Sequence, residues 1–402
     1  MTEPLAEDLI VIRGRGRVSA LGLLPTLPAD ASPFSTHATS LPVAALPAGA
    51  EAAVTQLRRD VPAYRQLDRT VLLGLLAARQ ATAAAGWSPG SGDAPNRPLA
   101  VSMGSSRGAT QRLEDFHAEF LAAGSVPAAA SPFTTLGNVA SWVAYDAGST
   151  GGAALSHSST CSSAFQALGN AMAWLRAGMA TRFLAGGTEA PLTRFTLAQM
   201  RAIGIYSPHP ATEWPCRPGA GRPSTFVLGE GAAVFALEKV SRQQLASEQS
   251  AEPVFVLESV GFGFEAIGSK TGLSPDGQHF QQAIGRALAQ AKVTPAEVDA
   301  VVLHSPGTPA GDAAERAALR AVFGEPLPLL LSNKWLIGHT LGASAALSLD
   351  FALHVLATQH WPAPPFLTDI ATAAARPIRR ILVNAAGFGG NAASALVSVL
   401  EA

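Results

Sequence analysis

Cys161 stands where an apolar segment, AALSHSST, gives way to CSSAFQALGNAMAWLRAG, whose apolar spacing predicts a helix over 162–175. A thiol at a helix N-terminus feels the positive end of the helix dipole and nearby unpaired N–H groups, so a lowered pKa and a reactive thiolate are expected. His304 ends the apolar run AVVLHSPGT and is followed by Gly307, Thr308 and Asp312, where a helix is predicted to start. His339 lies in NKWLIGHTLGASAA, a glycine-flanked loop entering another helix, with Lys334 upstream in the same loop. A cysteine or histidine taken singly is most often structural. In α/β folds, however, functional side chains gather at strand C-termini and in the loops beyond them. Three such groups at three such junctions fit covalent catalysis by a thiol with two imidazoles.

The elements that would position these groups alternate along the chain. Val- and Ile-rich runs bounded by glycine are predicted as strands over 8–14, 99–103, 153–160, 181–186 and 232–238, and again over 254–261, 299–304, 329–332, 380–384 and 392–400. Helical spacing is predicted over 66–85, 162–175, 277–291, 312–323 and 342–358. The segment up to about Gly49 reads as an irregular excursion, and SRQQLASEQSAEP, 241–253, as a polar linker. The order of elements implies two successive α/β halves, 1–245 with the cysteine and 246–402 with the two histidines, although no sequence repeat of fixed period accompanies it.

Composition narrows the function classes. The chain has 402 residues, 48% hydrophobic and 14% charged, with a formal net charge of −1. That balance offers no global basic field for nucleic acid or an anionic membrane. Two cysteines, Cys161 and Cys216, make no disulfide scaffold, and Cys216 reads as a structural thiol. The opening MTEPLAEDLIVIRG is acidic before it is apolar, the reverse of a secretory signal, and no uninterrupted apolar run approaches the length of a membrane span, so a cytoplasmic protein is expected. VIRGRGRVSALG lacks the GxGxxG spacing of a dinucleotide site, and His157 and His209 form no metal-ligand spacing with either cysteine; no cofactor and no metal are expected.

From Ile10 to Leu400 the sequence resembles the elongating β-ketoacyl–acyl-carrier-protein synthases, type II condensing enzymes of the thiolase superfamily. SSTCSSA followed by LAGGTEA is similar to the family's nucleophile helix and next strand. CRPGAGRPSTFVLGEGAAVFALE resembles its arginine–proline loop and hairpin, HSPGTPAGDAAE its first-histidine motif, NKWLIGHTLGASA its lysine–histidine motif, and NAAGFGGNAA its closing loop. The resemblance implies an α/β thiolase-like fold, two pseudo-symmetric halves in a five-layered α-β-α-β-α core. It implies that Cys161 takes an acyl chain from a carrier protein, that His304 and His339 promote malonyl decarboxylation, and that the backbone N–H groups of Cys161 and Phe388 form an oxyanion hole. It further implies that the Phe388 ring gates the acyl tunnel, that Lys334 acts through Glu315, and that Asp312 fixes the local structure. The expected partners are an acyl carrier protein and a second subunit, identical or related, in a dimer. Arg65, Arg69 and Arg201, with Arg58 and Arg59 nearby, could as well be a solvated face as a docking patch; the resemblance favours docking.

Several positions depart from the family pattern. Ala386 stands where a second phenylalanine is usual, which predicts a looser gate and a wider entrance. Pro306 replaces one of two threonines expected to hold the pantetheine arm, leaving Thr308, and Asn391 and Ala392 replace threonine and asparagine. The N-terminal excursion and the loop SPFTTLGNVAS are short. These departures predict a specialised synthase, of polyketide or polyene chains. Among rivals, a thiolase would need a cysteine in NAAGFGGNAA, and an initiating synthase an asparagine at His339. A non-catalytic chain-length-factor-like subunit would typically lack the nucleophile.

Overall fold

The structure is a computed structural model describing residues 8–24, 31–88, 98–136, 138–248, 253–266 and 274–400. Ten strands form one continuous hydrogen-bonded sheet. They are β1 (Leu9–Val18), β2 (Leu99–Gly104), β3 (Ala154–His157), β4 (Arg182–Glu189), β5 (Gly231–Val240), β6 (Val254–Phe264), β7 (Ala300–Val302), β8 (Leu329–Leu331), β9 (Arg380–Gly387) and β10 (Asn391–Leu400). β2 and β4 are buried along their whole length, as strands covered on both faces must be, although β4 begins with Arg182 and ends with Thr188 and Glu189.

The sheet divides into two copies of one pattern. The first half runs β1-β5-β4-β2-β3 and the second β6-β10-β9-β7-β8. In each, the first two pairings are antiparallel and the last two parallel. The duplication that element order implied is thus explicit in the pairing. β1 and β6 join the halves through Val11–Val256 and Ile12–Phe255.

Helices fill the spaces between. Those of nine residues or more are, in chain order, α1 (Ala48–Asp60), α2 (Arg69–Ala84), α3 (Thr110–Ala123), α4 (Asn138–Asp146), α5 (Ser163–Arg176), α6 (Arg194–Ala202), α7 (Gln278–Ala291), α8 (Pro309–Phe323) and α9 (Ser344–Thr358). α2 and α4 cover the outer face of the first half, and α7 and α8 that of the second. α5 and α9 lie between the halves and touch strands of both, which gives the five layers. The middle position explains the apolar stretch Leu341–Thr358. Contrary to the sequence expectation, it is long and apolar enough to cross a membrane, yet 83% of it is buried inside the protein.

Most predicted elements fall within a few residues of those found. α1, α3, α4 and α6 were not anticipated. α3 buries only Thr110 and so carries little of the one-faced pattern by which a helix is read. The stretch expected as a linker opens with an exposed helix, Arg242–Ser247, capped by Ser241; residues 249–252 of it lie outside the described residues. The GRGR motif serves packing. A Cβ on Gly14 or Gly16 would lie 2.3 or 2.1 Å from a backbone oxygen of α2, while Arg15 and Arg17 both pair with Asp350.

Close backbone approach also sets the helix that follows Cys161. A Cβ on Gly104 would lie 2.3 Å from the carbonyl carbon of Ser163, in the first turn of α5. Gly104→Ala is therefore expected to cost about 1–3 kcal/mol or more by driving β2 and α5 apart. Gly285→Ala, on an exposed face of α7 with nothing within 4 Å, should be neutral or stabilising by up to about 1 kcal/mol. Thermal unfolding of the two variants checks this; similar melting shifts would contradict it.

Candidate active site

β3 ends at His157, and the chain turns through Thr160 with φ 49°, a conformation unusual for a β-branched residue, before α5 begins. Ser163 Oγ closes this turn, accepting from Ser159 N at 2.9 Å and donating to Thr160 O at 2.6 Å. Cys161 is presented, half-buried, at its apex. The closing loop between β9 and β10 runs directly over it. A Cβ on Gly387 would lie 1.7 Å from Thr160 Oγ1 and 2.9 Å from Cys161 N, so only glycine fits, and the backbone of Phe388 follows beside Cys161. The helix-end argument predicted a lowered thiol pKa, and the structure reverses it. Burial, then Glu189, push the thiol up to about 12 against the opposing pull of Lys334 and Arg107.

The two histidine rings meet edge to face, with centroids 5.4 Å apart, and both line one cavity with Cys161. His339 Nδ1 accepts a hydrogen bond from Leu341 N at 3.0 Å, so the proton sits on Nε2, free to donate. Burial, helped by Lys334, lowers its pKa to about 3. Burial, then His339 and Lys334, hold His304 well below 6.5. His304 Nδ1 is buried without a hydrogen-bond partner among the described residues. Both imidazoles are neutral donors at physiological pH.

Buried carboxylates fix the loops that carry these rings. Glu315 accepts from His304 N and Ser305 N at 2.8 Å, Ser305 Oγ at 2.7 Å and Asn384 Nδ2 at 3.0 Å, tying α8 to the end of β7 and to β9. Asp312 receives Gly219 N at 2.7 Å, Gly307 N at 3.2 Å and Thr308 N at 3.3 Å. Burial raises its pKa to about 6 against these bonds. Lys334 makes no ion pair with Glu315 among the described residues. Its ammonium lies 3.4 Å from Ser348 Oγ, which donates to Asn333 Oδ1. Burial lowers Lys334 to about 8, with Glu315 the leading charge opposing that.

Glu189 escaped the sequence reading. Wholly buried at the end of β4, it accepts from Ser105 Oγ, Ser106 N, Ser106 Oγ and Arg107 N in the first half, and from Gly342 N, beside the His339 loop, in the second. The available signal was a glutamate closing the apolar run LAGG. Cys216 is fully buried among Phe34, Ala44 and Val227, away from this cavity. The cavity measures about 280 Å³, and Met200, Ile203 and Leu341 add to its apolar lining. A thiol, two neutral N–H donors and an apolar chamber can hold an acyl group as a thioester and stabilise negative charge on a carbonyl oxygen.

Comparison with known proteins agrees with this chemistry. Residues 39–243 match the beta-ketoacyl synthase N-terminal domain and residues 254–367 its C-terminal domain. The chain belongs to the β-ketoacyl synthase family. Its members are condensing acyltransferases of the thiolase superfamily. It is 30% identical over 367 residues to a putative polyketide beta-ketoacyl synthase 1 of Streptomyces cyaneus, covering 84% of each chain. It is 29% identical over 362 residues to 3-oxoacyl-[acyl-carrier-protein] synthase 2 of Staphylococcus aureus, covering 85% of this chain and 84% of that one. The solved ishigamide ketosynthase/chain length factor superposes with a TM-score of 0.85 at 22% identity, over 98% of this chain and all of the other.

Around this synthase site the remaining expected residues are unevenly placed. Thr308 and Pro306 line the cavity, as do Ala386 and Phe388, whose ring is 43% exposed. Arg65 and Arg201 are exposed. Arg69 is not free for docking: its guanidinium is held by Glu230 at 2.6 and 2.8 Å and by Glu51.

Because Cys161 keeps its proton at rest, its alkylation by iodoacetamide should climb with pH through pH 9 without a plateau. Peptide-resolved alkylation rates measure this; a plateau reached by pH 7 would show a stable thiolate instead.

Proposed function

We propose that this chain is a 3-oxoacyl-[acyl-carrier-protein] synthase that carries out decarboxylative Claisen condensation with a Cys-His-His site. The observation that carries the reading is the single cavity lined by Cys161 and two imidazoles held neutral, His339 with its proton on Nε2. In the first half-reaction the Cys161 sulfur attacks an acyl thioester. A carbon–sulfur bond forms at Cys161, the bond to the carrier's pantetheine sulfur breaks, and the thiol proton ends on that leaving sulfur. The backbone N–H groups of Cys161 and Phe388 hold the oxyanion between these events.

In the second half-reaction a malonyl thioester loses carbon dioxide. The electrons of the broken carbon–carbon bond pass into a thioester enolate, whose oxygen receives hydrogen bonds from His304 and His339. Neutral donors suit this step, since an imidazolium would offer the carbanion a proton. The enolate carbon then attacks the acyl–Cys161 carbonyl, and the sulfur leaves and is reprotonated. Lys334 acts as a buried positive charge beside the site, and Asp312 and Glu315 hold the His304 loop.

The acidic carrier protein meets Arg65 and Arg201, the latter two residues before Ile203 of the cavity lining. The chain works in the cytoplasm as a dimer with an identical or related subunit. A specialised polyketide or polyene pathway is favoured by Ala386, Pro306 and the similarity to the Streptomyces protein. A chain-length-factor-like role is disfavoured by the intact trio.

The test is intact-mass measurement of self-acylation from a panel of acyl-carrier-protein thioesters. Wild-type protein should gain the acyl mass and Cys161→Ala should not. His304→Ala and His339→Ala should keep acylation within about tenfold while losing carbon dioxide release by about 10²-fold or more. Acylation of Cys161→Ala, or equal loss of both half-reactions in the histidine variants, would overturn the assignment.

A further inference from the structure

The structure relocates the ring that Ala386 lacks. Ala386 is buried at 3% exposure, so its small side chain does not open the cavity to solvent. In the same buried apolar cluster, and on the same cavity wall, lies Phe280 in the first turn of α7, 1% exposed. Its ring centroid is 6.2 Å from that of His304. We propose that Phe280 is a specificity-determining residue of the acyl cavity, occupying from a rigid helix the space beside Ala386.

The helix is held in place by contacts that leave Phe280 little freedom. β6 carries Gly261 and Gly263 where α7 crosses it, and a Cβ at those positions would lie 2.2 Å from Ala283 O and 1.9 Å from His279 O. His279 stacks on Phe280 with centroids 4.6 Å apart. Its Nδ1 and backbone N are each 3.0 Å from Glu265 Oε2, which also accepts from Ser274 Oγ at 2.8 Å. Glu265 N in turn donates to Gly390 O in the closing loop at 3.0 Å. The Glu265–His279 pair therefore clamps the Phe280 ring from behind and ties it to the loop that carries Phe388.

A ring on a clamped helix turn cannot swing aside as a loop-borne ring can. The wall beside His304 therefore has fixed shape, and the wide entrance expected from Ala386 alone is closed on that side. Phe388, in the closing loop and 43% exposed, is the ring of this cavity with room to move. The cavity should exclude groups that branch or broaden close to the carbonyl, while tolerating stiffness further out, past Phe388.

This inference rests on reading the cavity as the acyl site, and cavity shape can be measured without condensation. Iodoacetamide and the bulkier 2-iodo-N-phenylacetamide each alkylate a thiol with loss of iodide and a proton to buffer. The readout is the ratio of bulky to small alkylation rates at Cys161, resolved from Cys216 by peptide mass, at one pH. Phe280→Ala should raise that ratio by about tenfold. Ala386→Phe should lower it, and should lower the melting temperature, because the space is already filled. The double variant should recover both toward wild type. An unchanged ratio in Phe280→Ala, or a double variant whose melting shift is the sum of the single ones, would overturn the proposal. If Ala386→Phe does not fold, recovery of folding in the double variant supports it and continued failure opposes it. Absence of an acyl-enzyme in wild type would remove the functional reading while leaving the ratio measurable.

Discussion

The five hydrogen bonds on the Glu189 carboxylate join the nucleophile half to the histidine half. Ser105, Ser106 and Arg107 come from the loop after β2, and Gly342 from the turn that follows His339. Desolvation raises the Glu189 pKa and the donors oppose it. An ion in this position is costly to bury unless almost every lone pair is met, so the surrounding backbone has one arrangement that serves it. That arrangement sets where the His339 loop stands relative to Cys161. The closeness of the glycine backbones reinforces the constraint. A Cβ on Gly342 would lie 2.3 Å from Ser106 N and 2.5 Å from Glu189 Oε2.

The electrostatics of the cavity follow from the same burial. Burial is the leading influence on the two imidazoles and the thiol that line the cavity and on the Lys334 ammonium buried near them: both histidines are lowered, Lys334 is lowered, Cys161 is raised. Each shift favours the neutral form. The thiol and both imidazoles are thus neutral at rest, and under the proposed mechanism their N–H donors meet charge that develops only during reaction. Fixed donors of this kind need no reorganisation as the enolate forms.

Much of this was legible in the sequence because glycine, histidine and cysteine leave marks that depend little on distant neighbours. Strand runs and the helices of the inner layers show their periodicity directly, and the junctions at Cys161, His304 and His339 stand out as apolar segments that end in a reactive side chain. What could not be read depended on contacts between halves. The thiol pKa turns on how dry the apex of α5 is, which the helix dipole argument does not contain. Arg69 looks like its exposed neighbour Arg65 until Glu51 and Glu230 are folded against it. Ala386 reads as a missing ring because Phe280, more than a hundred positions earlier, carries no local sign that it fills the gap. α3 was invisible for the opposite reason, since almost none of it is buried.

The central claim is that both catalytic imidazoles remain neutral donors while the malonyl group decarboxylates. Single-turnover release of carbon dioxide from a malonyl-carrier protein, on enzyme already acylated at Cys161, measures this between pH 5.5 and 7.5. With His339 held near 3 and His304 well below 6.5, neither ring should titrate near 6.5; Asp312, which holds the His304 loop and is raised to about 6, is removed from the profile by Asp312→Asn, in which the rate should show no midpoint near 6.5. In that variant a midpoint near the ordinary histidine value, about 6.5, would show a ring gaining and losing its proton and would contradict the account.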